Sequence, residues 1–361
     1  MCKNFKNILN TFFLFFFISS LNCLSKDFQL IKIIDLNTPW GMDFINEKEL
    51  IVSERNGQIV IVDLSKKTKR VLNHNLNFMF DSQGGLLDIF HHENKIFICY
   101  SENLDSQLST TSIAVSKLNE IKLYFSNIFQ SSSAVNSGYH YGCRMQVDSK
   151  NNLYASVGER GQGNIAQDFT KHPGSIIKIK LDGSVPNDNP KFSENKKWLP
   201  ELFQIGLRNP QGMTYDPVSQ KIFITNHGPR GGDFFGEVIK GTNYGWKNWC
   251  WGGKNYNFTK CGVDIDNKKF LQPLKVWVPS IGISAVKIYY GDEFSHWNGK
   301  FIIGSLKKKS LEIFELKNNN LINTSLIISN KIGSVRDIEI NASGQIFLLS
   351  NDKSALWLLK K

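Results

Sequence analysis

The feature that most constrains this chain is a recurrence. A short apolar strand ending near a turn appears six times, at Lys48–Glu54, Asn94–Glu102, Asn151–Glu159, Gln220–Gly228, Gly299–Lys307 and Gly344–Asp352. Each follows another strand-like run, at Gly41–Phe44, Gly84–Phe90, Gly142–Val147, Gly212–Tyr215, Ala285–Tyr290 and Val335–Ile340. Turn residues such as Asp148-Ser149-Lys150 and Asp216-Pro217 separate the two runs, and a third apolar run usually follows, as at Gln58–Val62 and Ala355–Leu359. Helical periodicity is almost absent. Units of about 45 to 80 residues that each supply three or four antiparallel strands are the sequence mark of a β-propeller. The expectation is therefore an all-β fold, a six-bladed β-propeller with four-stranded antiparallel blades. A β-sandwich would explain the alternation but not the sixfold recurrence. Phe28–Ile34 precedes the first unit and is expected to pair beside the last blade, closing the ring. The longest insertions, 182–200 and 240–282, are expected as loops on one face.

Composition supports a folded catalytic or binding domain and excludes several classes. Of 361 residues, 41% are hydrophobic and 21% charged, which rules out a disordered chain or a collagen-like fibre. The 26 Phe, 10 Tyr and 8 Trp supply ample core. The formal charge is +11, but the lysines are scattered rather than clustered, so nucleic acid is not an expected partner. Residues 1–25 carry Lys3 and Lys6, then the apolar run Ile8–Ile18, then small and polar residues, the pattern of a secretory signal peptide. No later stretch reaches about 18 apolar residues, so no transmembrane helix is expected after cleavage. These features predict a single propeller domain over residues 26–361, exported and periplasmic, as a monomer or homodimer. Outside the leader, Cys250 and Cys261 flank a short loop and are expected to form a disulfide. Cys99, in an apolar run, reads as a small buried hydrophobe.

In a propeller the innermost strands line a central channel, so residues at equivalent ends of the repeats converge at one mouth. Just before or at the start of the inner strands stand Gln83, His140, Arg208, Asn209 and Arg336. At the ends of the second strands stand Glu159, Gly228, Pro229 and Lys307. An imidazole, a carboxylate, three cations and two amides at one rim exceed what a purely structural ring requires.

These residues lie in ordered motifs: Pro39-Trp40-Gly41-Met42, Gln83-Gly84-Gly85-Leu86-Leu87-Asp88, His140-Tyr141-Gly142-Cys143-Arg144 and Gly158-Glu159-Arg160-Gly161. Gly206-Leu207-Arg208-Asn209-Pro210-Gln211-Gly212, His227-Gly228-Pro229-Arg230-Gly231-Gly232-Asp233, Asn243-Tyr244-Gly245-Trp246, Pro279-Ser280 and Val335-Arg336-Asp337 follow. Together they resemble the soluble pyrroloquinoline quinone (PQQ)-dependent aldose sugar dehydrogenases of the glucose/sorbosone dehydrogenase family. That resemblance implies oxidation of the C1 hydroxyl of aldoses to lactones, with PQQ and Ca²⁺ as cofactors and an unidentified electron acceptor as partner. It implies His140 as general base, with Glu159 orienting it, and Arg208 facing the charge that develops during reaction. Gln83, Arg208, Asn209, Lys307, Arg336 and Trp277 would hold PQQ, with the cations on its carboxylates. The backbone carbonyls of Gly228 and Pro229 would hold Ca²⁺.

The chain departs from the family pattern at four places. Cys143 stands where the family usually has Gly, and Glu159 replaces a common Asp. Ser334 replaces an Arg found in some glucose-oxidising members. Phe234 follows Asp233 where a calcium-binding Glu is often found. Two rival readings follow: a lactonase-type calcium-binding propeller, or a non-enzymatic propeller that kept the fold and lost the cofactor.

Overall fold

A computed structural model describes residues 28–361 apart from 106, 120, 195, 264 and 265. The expected signal peptide lies outside the described residues.

Six antiparallel sheets follow one another along the chain. Blade 1 is Pro39–Asn46, Glu49–Glu54, Gln58–Asp63 and Thr68–His74, and Lys122–Leu123 adds parallel to its outer edge. Blade 2 is Leu86–His92, Lys95–Asn103, Ser109–Lys117 and Ser126–Gln130. Blade 3 is Gly142–Val147, Asn152–Val157, Ser175–Lys180 and Leu202–Ile205. Blade 4 is Pro210–Asp216, Lys221–Asn226, Asp233–Glu237 and Lys275–Trp277. Blade 5 is Ile283–Ile288, Phe301–Ser305, Ser310–Lys317 and Asn320–Ser329. Blade 6 takes Val335–Ile340, Ile346–Ser350 and Ala355–Lys360, and its outermost strand is Gln29–Asp35 from the other end of the chain.

The first strand of each blade touches the first strand of the next, and that of blade 6 touches that of blade 1. This is a closed six-bladed propeller, as the repeats predict, and Gln29–Asp35 closes it by pairing Gln29 with Lys360 and Asp35 with Ala355. Closure covers the Ala355–Lys360 strand with Gln29–Asp35 and leaves each blade only its outermost strand as an edge.

The alternating apolar residues of each strand pack between neighbouring blades. One buried cluster joins Phe97, Cys99 and Ile113 of blade 2 to Met145, Leu153 and Ile177 of blade 3. Another joins Phe223 and Phe235 of blade 4 to Phe301 and Phe314 of blade 5.

The two insertions do not share a face. The 182–200 segment leaves from Lys180, which pairs with Asn152 at the end of blade 3 remote from His140. The 240–282 segment climbs back along blade 3, where Tyr244 N–H donates to Ile205 O at 3.1 Å. It then forms a separate hairpin, Trp249–Lys254 with Lys260–Gly262. The second insertion is simply long enough to return to the mouth.

The cysteines complete this picture. Cys250 and Cys261 are bonded within the hairpin, with Cα atoms 5.6 Å apart. The expectation for Cys99 is corrected: it is bonded to Cys143, Cα to Cα 5.5 Å, and ties the second strand of blade 2 to the inner strand of blade 3. The two residues are 44 positions apart, and only the packing of neighbouring blades brings them together.

Candidate active site

The inner-strand starts and second-strand ends meet at one channel mouth. Two adjoining spaces open there. A cavity of about 170 Å³ is lined by Trp40, Arg55, Gln83, Asn209, Gln211, His227 and Arg336, among others. A cleft of about 470 Å³ beside it is lined by His140, Glu159, Arg208, Pro229 and Trp246, and by Tyr256 of the hairpin. Arg208 joins them, because its Nη1 donates to the carbonyl of His227 at 3.3 Å.

The segment carrying His140 is held from several sides. His140 N–H donates to Gln83 Oε1 at 3.0 Å, and Arg160 N–H donates to His140 O at 3.2 Å. Gly158 is required at its position, since a Cβ there would lie 2.0 Å from that carbonyl oxygen. The buried Arg160 side chain donates to Tyr139 O at 3.0 Å and to Ser109 O at 2.9 Å, and its guanidinium lies 3.7 Å from the Tyr141 ring centre. Gly142 N–H donates to Asn209 Oδ1 at 3.0 Å, so Asn209 links blade 3 to the mouth of blade 4.

His140 Nδ1 is hydrogen-bonded to Glu159 Oε1, and the other carboxylate oxygen accepts from Gly163 N–H. Burial lowers the His140 pKa, and the positive charge of Arg208 adds to this, while Glu159 pulls the other way. Burial raises Glu159, but the hydrogen bond from His140 and the Gly163 N–H outweigh it, so its pKa falls below the ordinary carboxylate value. The pair is therefore neutral imidazole beside carboxylate. An ionised Glu159 accepts from Nδ1–H, which leaves Nε2 as the lone-pair nitrogen, the tautomer a general base needs.

The cavity is cationic. Arg336 Nη1 donates to Gln211 Oε1 at 2.9 Å, while the buried Arg336 Nε and His227 Nε2 have no hydrogen-bond partner. Burial, together with the charges of Arg144 and Arg55, brings the Arg336 pKa down to about 9. Burial, with the charges of Arg336 and Arg208, lowers His227 to about 4. Unsatisfied buried nitrogens are costly in a protein interior, and these two belong to residues that line the cavity. A flat polyanion with hydrogen-bonding edges would complement a wall that carries Arg55, Arg336 and the amides of Gln83, Asn209 and Gln211.

Arg144 lies between this cavity and the far end of the channel, and its partners Trp40, Gln211 and Arg336 line the cavity. Its Nε donates to Gln211 O at 2.9 Å and its Nη2 to Arg336 O at 3.0 Å, while its guanidinium stacks 4.1 Å from the Trp40 ring centre. Below it the far end of the channel widens to about 320 Å³, lined by Asp43, Lys287 and Glu339 among others.

Gln83, Asn209 and Arg336 thus line the cavity, and His140, Glu159, Arg208 and Pro229 line the cleft. Gly228 is buried beside them, and its carbonyl accepts from Arg208 Nη1 at 3.1 Å. Lys307 is an exposed residue at the same end of blade 5, where its neighbour Leu306, not Lys307, lines the cavity. Trp277 lies on the outermost strand of blade 4 and meets Phe314 of blade 5 edge-on at 5.8 Å, so the structure places it between blades and away from both spaces. Tyr244 is structural, its hydroxyl donating to Glu237 O at 2.8 Å.

Sequence reasoning passed over Arg55, Trp40, Gln211 and His227. Arg55 directly follows the second strand of blade 1, the position type that singled out Glu159 and Gly228. The other three lie inside the quoted motifs.

The glucose/sorbosone dehydrogenase family model matches residues 36–359. The chain is 28% identical over 362 aligned residues to aldose sugar dehydrogenase YliI of Escherichia coli, covering 94% of this chain and 96% of that protein. The crystal structure of the soluble aldose sugar dehydrogenase of Escherichia coli in its apo-form superposes with a TM-score of 0.85, at 28% identity, over 92% of this chain and 99% of that one. The PQQ-bound aldose sugar dehydrogenase of Streptomyces coelicolor shares the fold, with a TM-score of 0.75 at 20% identity over 92% of this chain and 98% of the other. With the family model spanning all six blades, the chain belongs to the glucose/sorbosone dehydrogenase family.

Proposed function

We propose that this protein is a PQQ-dependent aldose sugar dehydrogenase that oxidises the C1 hydroxyl of aldoses to lactones. The observation that carries the reading is a cavity walled by Arg55 and Arg336 and by the amides of Gln83, Asn209 and Gln211, beside the cleft that holds the His140–Glu159 pair. Relatives named as aldose sugar dehydrogenases, one of them described as PQQ-bound, support the same assignment.

PQQ, when bound, supplies the two-electron acceptor for the hydrogen that leaves C1 of the sugar. Arg336, Arg208, Gln83 and Asn209 would hold and orient it, and Lys307 would have to swing in from the rim to join them. His140 Nε2 takes the proton of the C1 hydroxyl, and Glu159 keeps the imidazole in the required tautomer and stabilises its charged form. Arg208, between both spaces, offers positive charge where negative charge develops. The carbonyls of Gly228 and Pro229 are hard oxygen donors suited to Ca²⁺; the remaining ligands would come from the cofactor and water, and Arg208 would give up its bond to Gly228 O.

Export to an oxidising compartment is part of this reading. The four cysteines among the described residues are all disulfide-bonded, a state that persists outside the cytosol. The lactonase-type alternative needs carboxylates converging on one metal. Among the described residues no three His, Cys, Asp or Glu side chains are grouped for that.

The test is reconstitution of the protein with PQQ and Ca²⁺, followed by aldose-dependent reduction of an artificial dye. Turnover that requires both sugar and PQQ is the expected result. A protein that binds PQQ and reduces nothing with any aldose would overturn the assignment.

A further inference from the structure

The hairpin raised by the 240–282 insertion borders the cleft that holds His140, and its tip is tied together by its own hydrogen bonds. Asn255 N–H donates to Thr259 O at 2.9 Å, Asn255 Nδ2 donates to Lys260 O at 3.0 Å, and Thr259 Oγ1 donates to Asn257 Oδ1 at 2.6 Å. The Cys250–Cys261 bond staples the base. Gly252 lies so close to the Gly228–Asp233 turn that a Cβ on it would sit 1.9 Å from Gly231 C. The hairpin is thus seated on the turn whose carbonyls face the site.

That seating presents one aromatic ring to the cleft. Tyr256 lines the same cleft as His140, yet it is 65% exposed. Its ring centre is 5.9 Å from the Arg208 guanidinium, and on the other side Arg208 is 5.5 Å from the Trp246 ring. Phe258, two residues on, faces elsewhere: it covers Arg230 at 3.8 Å and does not line the cleft. An aromatic ring that lines the same cleft as the His140–Glu159 pair, and is left largely uncovered by the protein, is a surface for the C–H face of a sugar ring.

We infer that Tyr256 is the stacking platform for the aldose ring and that the stapled hairpin sets substrate affinity, an inference that rests on the dehydrogenase reading. The ligand is an aldopyranose whose C1 hydroxyl reaches His140 while its apolar face covers Tyr256. Because Tyr256 meets the ring and not the reacting atoms, it acts on ground and transition states alike, so its loss raises KM and leaves kcat nearly unchanged.

The test uses the PQQ- and Ca²⁺-loaded protein and two readouts. Steady-state kinetics with glucose should show KM raised about 5- to 10-fold in Tyr256→Ala with kcat within about twofold, the range expected for losing one aromatic contact. Phe258→Ala, on the same tip, should leave KM unchanged. A binding readout separates affinity from turnover: glucose is titrated into loaded His140→Ala by tryptophan fluorescence, with and without the added Tyr256→Ala change, and the added change should weaken binding by the same factor. Equal glucose affinity with and without the Tyr256 ring overturns the hairpin's role and leaves the dehydrogenase reading standing. A protein that binds no glucose in either form overturns both. A KM shift as large in Phe258→Ala as in Tyr256→Ala would assign the effect to hairpin packing and overturn the stacking role.

Discussion

Arg144 in blade 3 reaches Asp337 in blade 6, the blade directly opposite, with Nη1 2.9 Å from Oδ1. The same Nη1 donates to Asp88 Oδ1 of blade 2 at 2.8 Å, and the other carboxylate oxygens cap backbone N–H groups of neighbouring blades, Asp88 Oδ2 on Met145 at 2.8 Å and Asp337 Oδ2 on Met42 at 3.0 Å. One side chain thus closes the channel, and it also donates to the carbonyls of Gln211 and Arg336, residues that line the cavity. Burial pushes the Asp88 carboxyl up to about 6 even with Arg144 beside it, and the charge of Asp337 adds to that rise.

Replacing Arg144 with Met leaves two buried carboxylates without the guanidinium that bridges them. Breaking a buried ion pair from one side typically costs about 3–5 kcal/mol. Arg144→Met is expected to lose stability of that order in guanidinium denaturation. Adding Asp88→Asn and Asp337→Asn should restore part of it. An unchanged denaturation midpoint in the single variant would show that the strut carries no load.

The pH dependence of turnover follows from the His140–Glu159 pair. In the proposed mechanism the competent form of His140 is the neutral one, and burial lowers its pKa below the free value of 6.5. Activity should therefore hold as pH falls through 6.5 and decline only at lower pH. Glu159 is the influence that raises His140, so Glu159→Gln should move the acid limb of kcat/KM further down in pH while lowering its plateau through loss of the tautomer. An acid limb that moves up in Glu159→Gln would contradict the pairing.

The Cys99–Cys143 bond offers a test that leaves the catalytic groups intact. Cys143 adopts φ +69°, the left-handed region that favours glycine, and His140 and Gly142 nearby are at +50° and +68°. Removing a native disulfide typically costs about 2–5 kcal/mol. Cys99→Ala combined with Cys143→Ala should lose at least that much in thermal or denaturant unfolding. Cys99→Ala combined with Cys143→Gly should lose less, because glycine takes this φ without strain. Equal losses in the two double variants would mean that backbone strain at 143 is negligible.

The sequence displays the ring but not what crosses it. Strand recurrence is local, so the six blades and the closing role of Gln29–Asp35 are readable from spacing and alternation alone. Contacts across the channel or between blades are not. Arg144 stands in plain view in the His140–Arg144 motif, but its partner Asp337 is 193 positions away and is a partner only because blades 3 and 6 face each other. Cys99 and Cys143 meet for the same kind of reason. Position at the mouth was legible for Gln83, His140, Arg208 and Arg336 because it depends on where a strand starts. Side-chain direction was not, which is why Lys307 lies on the rim at the correct end and Trp277 turns into the gap between blades.

The last prediction separates holding the cofactor from using it. Arg336 is half-buried, and its guanidinium lies 5.6 Å from the Trp40 ring, which shares the cavity lining. Binding of PQQ should quench tryptophan fluorescence, giving an affinity without any turnover. Arg336→Gln removes the charge that a carboxylate of PQQ would meet; hydrogen bonds to charged groups contribute about 1.5–3 kcal/mol, so affinity should fall by roughly 10- to 150-fold. His140 belongs to the neighbouring cleft, so His140→Ala should leave that affinity near wild type while kcat at saturating PQQ falls by about 10² to 10⁴. Arg208→Ala should show both losses, because Arg208 joins the two spaces. Wild-type PQQ affinity in Arg336→Gln would place the cofactor outside this cavity, and wild-type kcat in His140→Ala would remove the base from the mechanism.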